Sequence, residues 1–71
     1  MRTSVTKTME QALNRAYDKS GMSLKEFIQY LARTRDIFDF EENEDYMSFH
    51  VIKDGQVYEF FYAYDAWYCK Q

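Results

Sequence analysis

One histidine, His50, one cysteine, Cys69, and the carboxylates of "DFEENED" (39–45) are the residues that could carry reaction chemistry in this chain of 71 residues. Nucleophilic catalysis needs a nucleophile, a base within hydrogen-bond reach and a third group that orients the base. Neither residue has such company in the sequence: Cys69 is expected to be inert, and His50 reads as a strand residue facing Glu59. Clustered acids can pair for acid–base work or hold a hard cation, but the Asp-x-Asp-x-Asp-Gly pattern with a distal Glu that builds a calcium loop is missing. They read as a solvated turn. No Cys/His cluster has zinc spacing, and with Gly21 and Gly55 as the two glycines there is no phosphate-cradling loop. The expectation is a non-enzymatic protein with no catalytic residues, no metal and no cofactor.

Aromatic residues form the other unusual group. They make up 20% of the chain, and seven of them crowd into "VYEFFYAYDAWY" (57–68). Such a run could stack nucleic-acid bases, but single-strand binders pair aromatics with a cationic groove, and here the surroundings are acidic. A chain of roughly 60–70 residues buries only about 60% of its unfolded surface, and each aromatic side chain adds about 150–250 Å² of burial. The run therefore reads first as core, with Tyr58, Phe60, Tyr62 and Tyr64 on one sheet face. The opposite face brings Phe61, Tyr46 and Ala63 together. Trp67 and Tyr68 are either a last segment against the sheet edge or part of an exposed patch that binds a partner.

Two amphipathic helices and a sheet must position these residues. Val5, Met9, Ala12, Leu13, Ala16 and Tyr17 recur at helical spacing and predict a first helix over 7–20, stopped by Gly21. Ser23 and Glu26 have capping-box spacing, flanked by Met22 and Phe27 as a hydrophobic staple. A second helix therefore starts at Leu24, buries Leu24, Phe27, Ile28, Leu31 and Ala32, and ends near Arg35. From residue 36 the period becomes two. Asp54-Gly55 predicts a two-residue hairpin turn, which sets Lys53 opposite Gln56, Val51 opposite Tyr58, Phe49 opposite Phe60 and His50 opposite Glu59. An earlier strand, 36–41, with a four-residue turn would align Phe38 with Phe49 and make a row Phe38, Phe49, Phe60. The fold class is α+β: one domain, 1–71, of two helices followed by a three-stranded antiparallel β-meander.

Charge divides the chain. Residues 1–35 carry seven Lys and Arg against three acids (+4), and residues 36–71 carry two against nine (−7). Two halves of opposite sign suggest different partners. In the basic half, Val5, Leu13, Ala16, Gly21, Met22, Ser23, Phe27 and Ile28 follow the order strand, helix, Gly-apolar-Ser, helix. That pattern resembles the ribbon-helix-helix family of small dimeric DNA-binding regulators. The resemblance, covering about 1–35, implies a homodimer whose paired strands enter the major groove of double-stranded DNA. It places Arg2, Ser4 and Thr6 on the groove side, Thr3 and Val5 inward, and Ser23 and Lys25 at phosphate. Gly-x-Ser between two amphipathic helices is also the punctuation of a plain helical hairpin, and the residues alone fit such a hairpin packed on the sheet.

The leading expectation is a small regulatory DNA-binding protein. The alternative is an acidic protein–protein interaction module or inhibitor, of the compact kind mobile elements carry, that binds a basic partner protein through Glu41, Glu42, Glu44, Asp45, Tyr46, Glu59, Phe61, Asp65, Trp67 and Tyr68. One unpaired cysteine suggests a reducing cytoplasm, and no run of about 18 apolar residues offers a membrane span.

Overall fold

The structure, a computed structural model, describes residues 4–71. Ser4 opens α1 (Val5–Ser20) as its N-cap, its hydroxyl accepting the Lys7 N–H at 3.2 Å, and Gly21 at φ 67° closes it in the left-handed conformation. The helix thus starts two residues before the expected position. α2 (Leu24–Thr34) opens with the capping box the sequence indicates: the Glu26 N–H donates to the Ser23 hydroxyl, and the Ser23 N–H donates to the Glu26 carboxylate. Phe27, Ile28 and Leu31 are buried on its inner face, whereas Ala32 is exposed.

Four strands follow, not three: β1 (Ile37–Glu42), β2 (Met47–Lys53), β3 (Gln56–Ala63) and β4 (Ala66–Lys70), antiparallel in the order β1-β2-β3-β4. The β2–β3 register is the one the Asp54-Gly55 turn dictates, Lys53↔Gln56 through Met47↔Tyr62, and both turn residues have positive φ. Trp67 and Tyr68 lie in β4, which hangs on a second two-residue turn, Tyr64-Asp65, again with both φ positive. Tyr and Asp lack the Asn-Gly signature of such turns, so the sequence hides this hairpin.

The β1–β2 pairing departs from expectation. The Asn43 side chain accepts the N–H groups of Asp45 and Tyr46, and the Asn43 N–H donates to the Tyr46 carbonyl. This Asx-type turn is shorter than the four-residue loop assumed from the sequence. Pairing then runs Glu42↔Met47 and Glu41↔Ser48, shifts by one at a bulge where Asp39 has φ 52°, and continues Phe38↔His50 and Ile37↔Val51. Because side chains alternate faces, the shift sends Phe38 away from Phe49. The row Phe38, Phe49, Phe60 does not form. Trp67, with no exposed surface, takes the third place, its ring 5.5 Å from Phe49, which is itself 5.5 Å from Phe60.

Both helices cover the same sheet face, where Phe27, Ile28, Leu31, Phe49, Phe60 and Trp67 form the core, with Met9, Leu13 and Tyr17 of α1 packed around it. Tyr58 is buried as expected, but Tyr64, expected in the core, is 93% exposed at the hairpin tip.

Candidate functional site

Alternation leaves the second sheet face without a helix over it. It carries Phe38, His50, Ile52, Val57, Glu59, Phe61, Tyr68 and Lys70, of which Phe38 (38% exposed), Val57 (48%) and Ile52 (63%) are large apolar groups in contact with solvent. Their chemistry is ordered in rows. Phe61 stacks on Tyr68 with ring centroids 5.3 Å apart, and Phe38 stacks on His50 at 5.6 Å. His50 sits between two carboxylates, Nδ1 being 3.7 Å from Asp39 Oδ2 and Nε2 3.9 Å from Glu59 Oε2. Glu59 also takes the Lys70 ammonium at 3.2 Å, and that ammonium lies 5.6 Å from the Phe61 ring centre. An aromatic face beside a carboxylate attracts a cation by quadrupole and charge together, and Lys70 is one already held that way.

Where the β1–β2 and β3–β4 turns meet, Asp45, Tyr46, Glu59, Phe61, Ala63, Tyr64 and Lys70 line an open depression of ≈ 540 Å³. That volume falls in the range of about 300–1,000 Å³ typical of ligand sites, and the depression is open to solvent. A second hollow, ≈ 430 Å³, lies between the helices and β2 and is lined mainly by apolar groups, including Met9, Leu13, Leu31 and Val51. Among the described residues no three His, Cys, Asp or Glu side chains converge on a point that could hold a metal ion, and no helix is long and apolar enough to cross a membrane.

The two edges of the sheet differ. Along β4 the Asn14 carboxamide acts as a surrogate peptide group: Oδ1 accepts the Trp67 N–H at 2.8 Å and Nδ2 donates to the Trp67 carbonyl at 2.9 Å. One turn earlier on α1, the Glu10 carboxylate accepts the Cys69 N–H at 3.2 Å while its other oxygen meets Lys7 at 3.3 Å. Polar side chains at i and i+4 thus close the β4 edge and block pairing with another chain there. Burial and the adjacent Glu10 carboxylate push the Cys69 thiol up to about 11, which leaves it protonated and a poor nucleophile at neutral pH.

Comparison of the chain with protein-family models, curated proteins and solved structures finds no match.

Ser4 and Thr6, expected on a ribbon strand, do not lie in a strand. Ser4 is a helix cap and Thr6 lies in the first turn of α1, while Arg2 and Thr3 are outside the described residues. Ser23 and Lys25 are exposed at the start of α2. Of the expected protein-binding residues, Tyr46, Glu59, Phe61 and Asp45 share the depression, and Tyr68 stacks beside it. Glu41, Glu42, Glu44 and Asp65 are exposed but do not line the depression, and Glu42, paired with the core-facing Met47, lies on the other face of the sheet. Trp67 is a correction: it points to the helices and is wholly buried, so it cannot touch a partner. Sequence reasoning missed Tyr64, Phe38 and Lys70 on the open face and Glu10 and Asn14 at the closed edge. The missing signals were the Tyr64-Asp65 turn and the bulge at Asp39.

Proposed function

We propose that this chain is a small protein-binding module whose uncovered sheet face docks on a basic surface of a partner protein. The observation that carries this reading is the composition of that face: exposed Phe38, Tyr46, Ile52, Val57 and Tyr64 interleaved with Asp39, Glu41, Asp45 and Glu59. Uncovered aromatic surface favours association, and acids around it select cationic partners and speed their encounter. The cation held between Glu59 and Phe61 supports the same reading, since a partner's Lys or Arg would find equivalent company near Asp45 and Tyr46. The helical conformation of Thr6 and the acidity of the open face favour a protein over DNA, because phosphate would be repelled where the aromatics are exposed.

A photoreactive residue in place of Tyr64, with a second version carrying it at Gln29 on the exposed side of α2, tests the proposal in cells. Crosslinking of one basic protein from position 64 and not from 29 is expected, with recovery falling as salt is raised in the binding buffer. Equal crosslinking from both positions, or tight binding of bare duplex DNA by the purified chain, would overturn it.

A further inference from the structure

Antiparallel pairing commits each strand residue's backbone to one neighbour or the other in alternation. The two-residue Asp54-Gly55 turn makes Lys53 and Gln56 a hydrogen-bonded pair, so Val51, Phe49 and Met47 also bond to β3, and His50 and Ser48 bond to β1. Their partners Phe38 and Glu41 therefore use their N–H and C=O on β2, and Ile37 and Glu42 turn theirs outward. The Asn43-to-Tyr46 bond, one pair beyond Glu42↔Met47, keeps the same alternation. Counting from Ala63↔Ala66 turns Trp67 and Cys69 outward on β4, and these are the groups that Asn14 and Glu10 satisfy. One edge of the sheet is closed by side chains of α1. The other, β1, offers backbone donors and acceptors that no described residue engages.

Charge selects what could use them. No Lys or Arg occurs between Arg35 and Lys53, while Asp36, Asp39, Glu41, Glu42 and Glu44 lie along or beside β1. A second copy of this edge would bring acids against acids, and like charges opposite one another destabilise a strand pair. The bulge at Asp39 splits the edge into two short stretches, so backbone bonds alone are few and the charges decide the occupant. We infer that the β1 edge receives an extended segment of the partner, bearing Lys or Arg, as a fifth antiparallel or parallel strand. Main-chain bonds at Ile37 and Glu42 would fix its course, and side chains flanking Glu41 and Glu42 would give it specificity.

The inference rests on the reading of the chain as a binder of basic protein, and the test separates the two. A short peptide of alternating lysine and valine is titrated against the intact protein at low salt, beside the same peptide with its backbone amides methylated, which keeps the charge and removes the donors. Methylation should weaken binding at least about tenfold, and the unmethylated peptide should slow hydrogen exchange at the Ile37 and Glu42 amides. The exposed-site variant Glu42→Lys should weaken it by a similar factor while its circular dichroism stays unchanged. Equal binding of both peptides, or no protection at Ile37 and Glu42, would overturn strand addition and leave the basic-partner reading standing. Binding of neither peptide would overturn both.

Discussion

Replacing Asn14 by Ala removes two of the three bonds by which α1 side chains hold the β4 backbone and leaves the Trp67 N–H and C=O facing an apolar methyl group. Each lost bond is worth about 0.5–1.5 kcal/mol net, with more where a buried group stays unpaired, so the two together amount to roughly 2–3 kcal/mol. Domain stability runs at about 0.05–0.15 kcal/mol per residue, or roughly 4–11 kcal/mol for a chain of this length, so this one carboxamide carries a substantial share. At about 4–8 °C per kcal/mol for a domain of this size, the melting temperature should fall by roughly 10–20 °C. Trp67 is the chain's single tryptophan and fully buried, so urea unfolding followed by its fluorescence reports on the site directly. The variant Asn14→Asp sharpens the test. Its carboxylate keeps an acceptor for the Trp67 N–H but opposes the Trp67 carbonyl, and on protonation it regains a donor. It should be destabilised at neutral pH and recover as the pH falls through the carboxylate range. A loss below about 0.5 kcal/mol for Asn14→Ala, or an Asn14→Asp variant without acid recovery, would refute the idea that α1 holds the sheet edge through this group.

Ser23→Ala should cost about 0.5–2 kcal/mol, the usual value of an N-cap, measured by urea denaturation. The Ser23 backbone N–H and hydroxyl hold the Glu26 carboxyl below its ordinary value. The stability it contributes is therefore present above pH 4.5 and lost as pH falls through the lowered value, and Glu26→Gln should flatten that part of the stability profile. For Cys69 the shift is upward, from 9.0 to about 11, so stability should decline between those values as the unfolded thiol ionises first, and Cys69→Ser should remove the decline. Thiol alkylation at pH 8 should be slow in the native protein and fast in urea. Asp65→Gly, at φ 63° in an exposed turn, should stabilise the hairpin by up to about 1 kcal/mol because glycine adopts that conformation without a Cβ clash. Tyr64→Asn, at φ 53°, should also stabilise, because asparagine tolerates the left-handed conformation better than tyrosine, yet it should weaken retention of the basic partner in a pull-down.

How far the sequence specified the fold depended on whether a local signal outweighed longer-range choices. Asp54-Gly55 has little conformational freedom once paired, and it set every partner along β2 and β3. The Ser23–Glu26 box likewise fixed the start of α2. β1 escaped because two side chains rather than glycines make its irregularities: the Asn43 carboxamide shortens the turn, and Asp39 enters a left-handed conformation that acidic and amide residues tolerate better than most. Together they move Phe38 across the sheet. β4 was readable only as a last segment against the sheet edge and not as a hairpin strand, since nothing about Tyr64-Asp65 announces positive φ. The closed edge could not be read at all. Glu10 and Asn14 look like the solvated side of an amphipathic helix until the sheet is placed against them, and this relation spans more than fifty residues of chain. The acidic and aromatic composition of the open face could be read, but its outline needed the register that the bulge hides.

Strain in this molecule is unevenly distributed, and the distribution bears on where it works. Four described residues other than glycine have positive φ: Asp39, Asp54, Tyr64 and Asp65. Asp54 serves the hairpin that organises the sheet. The other three lie around the uncovered face, where glycine or asparagine would satisfy the backbone at less cost. Tyr64 is the sharpest case, since a left-handed conformation costs an ordinary residue about 1–2 kcal/mol and a side chain 93% exposed returns almost nothing to the core. Folding alone gives no reason for an aromatic residue there, whereas the proposed binding face would supply one. Strain that the core does not require points to surfaces selected for another purpose. On the proposed reading, the acidic β1 strand with its bulge would likewise be an edge kept from its own copies while remaining open to a chain of opposite charge.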